Sequence, residues 1–321
     1  MGRQTPSHCF PRRASTVHRH KLPIYVTDKS LYTTCGRVPP PMMQRFFWSV
    51  VLALSAVAWA APASAQITAQ NQDVKAKRGQ GVSPIYEGWY EFNGAVYALF
   101  GYYNRNTEET IDVPVGPANQ VSPGQADQGQ PTRFIPGRQY GVVAIRVPSA
   151  SPKTEMSWSL TAHGQAFSIP ATLDPLYLLT PQRDAGGLDP GNTPPRLKFD
   201  ATGTPVQGPA GVVVKRRTSV QSTLPLDVWI SDDGLPVPKG EKAVGLSVTW
   251  SVYRGGPGNV AFANAVPPIE GDRASTAATF SEPGQYTLRV RASDGSRPSG
   301  TFCCWTHGYV IVDVAADSSK R

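Results

Sequence analysis

Histidine and cysteine are scarce in this chain, which holds five of the first and four of the second in 321 residues. His8, His18, His20, Cys9 and Cys35 all lie before residue 43, so only His163, His307, Cys303 and Cys304 remain in the body of the sequence. A transition-metal site needs three or four converging ligands, and this set does not supply them. No Gly-x-Ser-x-Gly elbow places a nucleophile near His163. An amphipathic run of ten residues is also missing, while 31 prolines and 30 glycines interrupt the chain at short intervals and argue against helices.

Excess charge of one sign is absent as well, once a leader is set aside. Residues 43 to 66, MQRFFWSVVLALSAVAWAAPASAQ, run from Arg45 through an apolar stretch, Phe46 to Ala61, into Ala63-Ser64-Ala65. That order of basic start, short apolar core and small-residue site is a secretory signal peptide at 43–65, with cleavage expected after Ala65. The apolar run is shorter than the roughly 20 residues a bilayer core requires, so no stable membrane span is expected after cleavage. Residues 1–42 read as an overlong extension before Met43 or Met42, the alternative being a long n-region removed with the signal. Eight Lys/Arg and one acidic residue lie within 1–65, leaving 23 basic residues against 22 acidic. The basic pI of the whole sequence therefore gives no nucleic-acid footprint, because such a footprint must sit on the folded domain.

What is present is β-sheet pattern in two blocks. Residues 66–84 form a polar leader, expected to be flexible. From 85 to 180 come YEGWYEF (86–92) and AVYALFGYY (95–103), joined by Asn93-Gly94, a pair that favours a tight hairpin. YGVVAIRVP (140–148), EMSWSLTA (155–162) and QAFSIPATL (165–173) follow, the last two meeting across His163-Gly164. Prolines between Pro114 and Pro136 predict a long excursion over this first sandwich. Residues 181–208 are dense in Pro and Gly and read as an interdomain linker. The second block, 209–321, offers VVVKRRT (212–218), PLDVWISDDG (225–234), GLSVTWSVYRGGPGNVAF (245–262), ASTAATFSEPGQYTLRVRASDG (274–295) and YVIVDV (309–314). Tyr286, Leu288, Val290 and Ala292 alternate with Thr287, Arg289 and Arg291, which puts the two sets on opposite faces. Trp250 is placed to fill the core, and Tyr286 after Pro283-Gly284 is a candidate corner tyrosine.

Trp250, Gly256-Pro257-Gly258, Phe280, Pro283-Gly284, Tyr286 and Asp294-Gly295 give residues 209 to 316 a resemblance to the immunoglobulin-like and PKD-like modules of bacterial exported proteins. The resemblance implies a Greek-key sandwich acting as spacer, stalk or binding domain, and brings no activity. The first block, with YEGW (86–89), FGYYNRN (100–106) and DVPVGPAN (112–119), is similar to uncharacterised bacterial secreted proteins that carry the same pair of domains. The expected fold class is thus all-β, two antiparallel sandwiches in tandem.

Three sets of residues are candidates for function. Eight aromatics crowd 86–103, more than one face of one hairpin can bury, so Trp89, Tyr90, Tyr102 and Tyr103, with Asn104 and Arg105 beside them, are candidates for contact with an envelope protein or a glycan. The bland reading makes them core beneath the proline-rich excursion. Asp232, Asp233 and Asp294 are candidate calcium ligands if their two Asp-Gly turns share one end of the sandwich, against the simpler reading that Asp caps its own turn. Cys303 and Cys304 are left to each other after export, and a vicinal disulfide, buried free thiols and an intermolecular bridge remain open, the first making an apolar knob beside Trp305. Glu87, Glu91, Glu108, Glu109 and Asp112 cluster in the first block and suggest a glycoside hydrolase pair, or simply the charge that solvated strands need. The expectation is a secreted or periplasmic, non-catalytic binding or structural protein, without cofactor unless calcium binds. A polysaccharide-acting enzyme or carbohydrate-binding accessory is the alternative.

Overall fold

A computed structural model describes residues 76–148, 155–184, 190–235, 245–296 and 303–316. The stretches expected to be a signal peptide (43–65), an extension before it (1–42) and the first part of the leader lie outside the described residues. Among those residues there is no α-helix, only strands and one 3-10 turn at Pro175–Tyr177. Among the described residues no helix is long and apolar enough to cross a membrane.

The first sandwich is built from β1 (Val82–Phe92), β2 (Ala95–Asn104), β3 (Ile111–Asp112), β4 (Asn119–Ser122), β5 (Arg133–Phe134), β6 (Gly137–Arg146), β7 (Met156–Ala162) and β8 (Gln165–Ala171). Asn93 and Gly94 take φ of 50° and 72° and close the β1–β2 hairpin, as that residue pair predicts. His163 and Gly164 do the same for β7 and β8. One sheet runs β1-β2-β6 and the other β4-β7-β8. Between them lie Phe100, Phe134 and Trp158, all fully buried, with Phe100 edge-on to Trp158 at 5.8 Å. The proline-rich excursion supplies β3, β4 and β5, and buried Asn119 ties it down. Its Nδ2 donates to the Val113 and Pro131 carbonyls while its Oδ1 accepts from Trp158 Nε1 at 3.0 Å. The leader is held from Ala76 onward, where Thr107 N and Glu108 N donate to the carbonyls of Ala76 and Lys77, and Val82–Pro84 already belong to β1.

The second sandwich follows with β9 (Arg196–Lys198), β10 (Val213–Ser219), β11 (Leu224–Ser231), β12 (Ser247–Arg254), β13 (Val260–Phe262), β14 (Ile269–Glu270), β15 (Arg273–Phe280), β16 (Gly284–Ser293) and β17 (Trp305–Ala315). Its sheets run β10-β17-β16-β12 and β13-β15-β11-β9. β10 pairs with β17 in parallel, whereas the other pairings between the named strands are antiparallel. Trp250 is 2% exposed in the core among Leu288, Val290 and Phe280. The corner tyrosine is formed: Tyr286 OH donates to the Glu282 carbonyl at 2.9 Å and accepts from Gly258 N at 3.1 Å. β9 comes from the stretch read as linker, pairs antiparallel with β11, and buries Leu197 completely.

The two sandwiches pack face to face. Alternate residues of β1 and β2 serve different cores: Ala98, Phe100 and Tyr102 join the first sandwich, while Tyr90 and Leu99 cluster with Trp305 of β17. The sheet β1-β2-β6 is therefore apolar on both sides, which is where the surplus aromatics of residues 86–103 go. Trp305, His307 and Tyr309 on β17, with Arg289 and Arg291 on β16, share the outer face of their sheet, because Arg289 pairs with Tyr309 and Arg291 with His307. This face meets β6: Tyr309 OH donates to the Val142 carbonyl at 3.4 Å, and Gly141 lies so close to Trp305 that an added Cβ would overlap the indole at Cζ2. At the edge of the contact Arg254 grips Asp127 with both Nη atoms (2.8 and 2.7 Å) and donates through Nε to the Gln130 carbonyl. Tyr253 OH reaches the Gly129 carbonyl at 2.6 Å.

Candidate functional site

Four of the candidate contact residues are buried. Tyr90, Tyr102 and Trp305 are each no more than 2% exposed and Asn104 not at all, so these side chains are core and cannot form an open contact face. The physical reason is the second cover on sheet β1-β2-β6. Tyr102 OH accepts from Ile135 N at 3.0 Å, and burial pushes its hydroxyl up to about 12. Asn104 spends Nδ2 on the Glu109 and Phe134 carbonyls and Oδ1 on Asn106 N. Tyr103 is half-buried. Arg105 is exposed, with its guanidinium carbon over the Phe167 ring at 4.7 Å.

Trp89, the remaining member, leads to a surface that the strand patterns did not reveal. Its Nε1 donates to the Asp174 carbonyl at 2.8 Å, and its carbonyl accepts from Leu179 N at 2.7 Å, so the segment after β8 is pinned along the β1 edge. Gly88 permits the approach, since a Cβ there would strike the Tyr177 carbonyl and the Leu179 side chain. Asp174 caps the 3-10 turn by accepting from Leu176 N at 2.8 Å. The result is an apolar ridge held out to solvent: Leu176 is 90% exposed, Tyr177 48% and Leu178 50%, with Tyr177 against Tyr86 at 5.7 Å. Its signal in the sequence is DPLYLL, an apolar run too short for a strand and placed directly after a proline.

Four of the five clustered carboxylates of the first sandwich are engaged individually, and Glu91 is exposed. Glu87 is bound by Arg138 Nη2 and Gly141 N, both at 2.6 Å. Burial raises its pKa, opposed by Arg138. Glu108 pairs with Lys77, Glu109 with His163 and Asp112 with Arg133, each across the surface.

The two Asp-Gly turns do face one another electrostatically. Burial, then the nearby charges of Asp233 and Asp294, raise the Asp232 pKa. Asp233 is used by Thr193 N and Oγ1, and Asp294 by Asn192 Nδ2 and Ser296 N. Among the described residues no three His, Cys, Asp or Glu side chains come together as a metal-ion site, so the calcium reading gains no ligand set.

Cys303 and Cys304 are joined by a disulfide across a cis peptide, with Cα atoms 3.1 Å apart. Both are buried, as is Trp305, so the pair forms no surface knob. Their sulfurs lie 3.8 and 3.6 Å from the Asn192 carbonyl, bracing the end of β17 against the segment that leads into β9.

His307 sits at the centre of the seam between the sandwiches, fully buried. Burial first, then Arg289 and Arg291, hold its imidazole well below the usual range, with the Pro209 carbonyl opposing. It is therefore neutral in the fold, whereas the unfolded chain protonates near the ordinary value of about 6.5. The unfolded state then binds more protons below that pH, so stability is lost on acidification from about pH 7 toward 5, by at most about 1.4 kcal/mol per pH unit. Thermal unfolding of wild type and His307→Gln across this range checks it: the variant should show a flatter profile, and parallel profiles would contradict the assignment.

No protein-family model matches the chain, and no curated protein matches it by sequence. Three solved structures illustrate distant likenesses. The D00-D0 domain of intimin is 10% identical with a TM-score of 0.24, over 72% of this chain and 98% of that one. Domains 4 and 5 of the S-layer protein SbsC are 13% identical with a TM-score of 0.21, over 50% of this chain and 65% of theirs. A nucleoside hydrolase-related hypothetical protein from Saccharophagus degradans, associated with carbohydrate metabolism, is 14% identical with a TM-score of 0.23, over 40% of this chain and 26% of that one. The immunoglobulin-like character of the second sandwich accordingly rests on its own strand order and tyrosine corner.

Proposed function

We propose that the protein is an exported, non-catalytic binding component of the cell envelope, with the Leu176–Leu178 ridge and Trp89 as its contact surface for a partner protein. The pinned exposure of that ridge carries the reading. Leucine and tyrosine side chains held in water by a capped, hydrogen-bonded turn bring preorganised apolar area to a partner and lose little conformational entropy on docking. Three further observations support it: the paired Cys303 and Cys304, which suit an oxidising compartment; the signal-peptide pattern; and the local use of the first sandwich's carboxylates. Leucines at the crest favour a protein over a sugar, which would call for flat aromatic faces with polar neighbours.

The test is capture of partners from envelope extracts by the mature protein, in parallel with a glycan array. Leu176→Asp should leave the fold intact, since the side chain is 90% exposed, and should weaken capture at least about tenfold, the loss expected at an apolar contact centre. Unchanged capture by Leu176→Asp would remove the ridge from the account. Array binding that depends on Trp89 but not on Leu176 would favour the carbohydrate-binding alternative.

A further inference from the structure

Val228 and Ile230 point into the core of the second sandwich, so Trp229 between them stands on the outer face of sheet β13-β15-β11-β9, where it is half-buried. Both neighbouring strands hold it in place, since β9 sets Lys198 opposite Trp229 and β15 sets Arg273 opposite it. The Arg273 guanidinium lies over the indole at 5.2 Å and pairs with Asp227 Oδ2 at 2.9 Å, with both side chains partly open to solvent. An aromatic ring fixed in this way, beside a donor and an acceptor, is preorganised for a ligand that is apolar on its faces and polar at its rim.

Trp229 is also where two hollows meet. One of about 220 Å³ has Asp200, Arg216 and Asp227 on its walls, and one of about 250 Å³ has Arg196, Lys198 and Asp272; Trp229 borders both. A third, of about 180 Å³, carries Asp232 and Asp233 and shares Arg196 and Ser231 with the second. The three hollows therefore adjoin in sequence along β9 and β11 as one groove. Each is larger than the roughly 150 Å³ that admits one six-membered ring.

The lining selects among ligands. Every hollow carries both signs of charge, so a polyanion meets carboxylates and a polycation meets guanidinium or ammonium groups all along the groove. A peptide strand finds no free edge on β9, which pairs with β11 on one side and bridges to Val206 on the other. Neutral sugars meet no such penalty: the C–H face of a pyranose lies against an indole, its hydroxyls donate to carboxylates, and its oxygens accept from arginine and lysine.

We propose that this groove of the second sandwich binds a linear neutral oligosaccharide, one ring to each hollow, with Trp229 as the stacking platform at the junction of the first two. The site is separate from the Leu176–Leu178 ridge and is a further binding function beside the protein partner assigned to it.

The test is calorimetric titration of the mature protein with cello-, malto- and chito-oligosaccharides of one to six rings. At least one series should bind, with affinity rising at least about tenfold from one ring to three and level beyond, because the groove has three hollows. Trp229→Ala should weaken the three-ring sugar at least about tenfold, whereas Trp89→Ala, on the first sandwich, should change nothing. Ser231→Trp fills the junction of the second and third hollows from an exposed position, and should keep two-ring binding while cancelling the gain from the third ring. It also serves as the readout if Trp229→Ala does not fold. Absence of binding in all three series, binding that both groove variants leave unchanged, or binding that Trp89→Ala removes would overturn the proposal.

Discussion

Gly141→Val should be the most damaging single substitution outside the two sandwich cores, lowering stability by about 4 kcal/mol or more and loosening the contact between the sandwiches. Gly141 holds φ of 52° beside a β-bulge where β2 and β6 shift register. A β-branched residue in the left-handed region costs on the order of 1 to 3 kcal/mol in backbone strain alone. The added side chain must also displace the Trp305 ring, with overpacking typically adding another 1 to 3 kcal/mol. Gly141 N further donates to Glu87 Oε2, so a backbone shift that relieves the overlap leaves a buried carboxylate short of a partner. Chemical denaturation of wild type and variant measures the loss, and a change below about 1 kcal/mol would show that Trp305 does not pack there.

A chain beginning at residue 209 should fail to fold, whereas one beginning at residue 190 should form the second sandwich with its outer face uncovered. The shorter chain lacks β9, whose Leu197 is fully buried against the core, and Phe199, which packs on the Gly308 backbone. Loss of a buried leucine alone costs about 2 to 5 kcal/mol, close to the whole stability of a small domain. It also lacks Asn192, and so removes the partner that Asp294 and Cys304 have in the full chain. The longer chain keeps these contacts but exposes Trp305, Tyr309 and Val142's partner surface, so it should be prone to self-association. Circular dichroism and sizing chromatography on the two chains decide the matter; equal folding of both would place β9 outside the domain.

How far the sequence led is clearest on β16. Alternation placed Tyr286, Leu288, Val290 and Ala292 inward, and all four are buried at 0% exposure. The same alternation placed Arg289 and Arg291 on the opposite face, where arginine ordinarily meets water. Strand periodicity distinguishes two faces but does not say what covers each, and here the cover comes from residues 90 to 144, far away along the chain. The counter-signal lay in that distant segment, in aromatics on both faces of β1 and β2. β9 was hidden for another reason: three residues, Arg196–Lys198, carry too little periodicity to stand out among prolines and glycines. The ridge at Leu176 was hidden because exposure depends on the Trp89 and Leu179 hydrogen bonds that hold its turn, and no composition rule reports those.

Differential scanning calorimetry of the mature protein bears most directly on the central claim, that sheet β1-β2-β6 is buried on both faces and joins the sandwiches into one body. A single transition with calorimetric and van't Hoff enthalpies in agreement is the predicted result, because neither sandwich can unfold without uncovering Trp305, Tyr90 and the arginine pair. Two separable transitions, each unchanged by Arg254→Ala at the Asp127 contact, would contradict it.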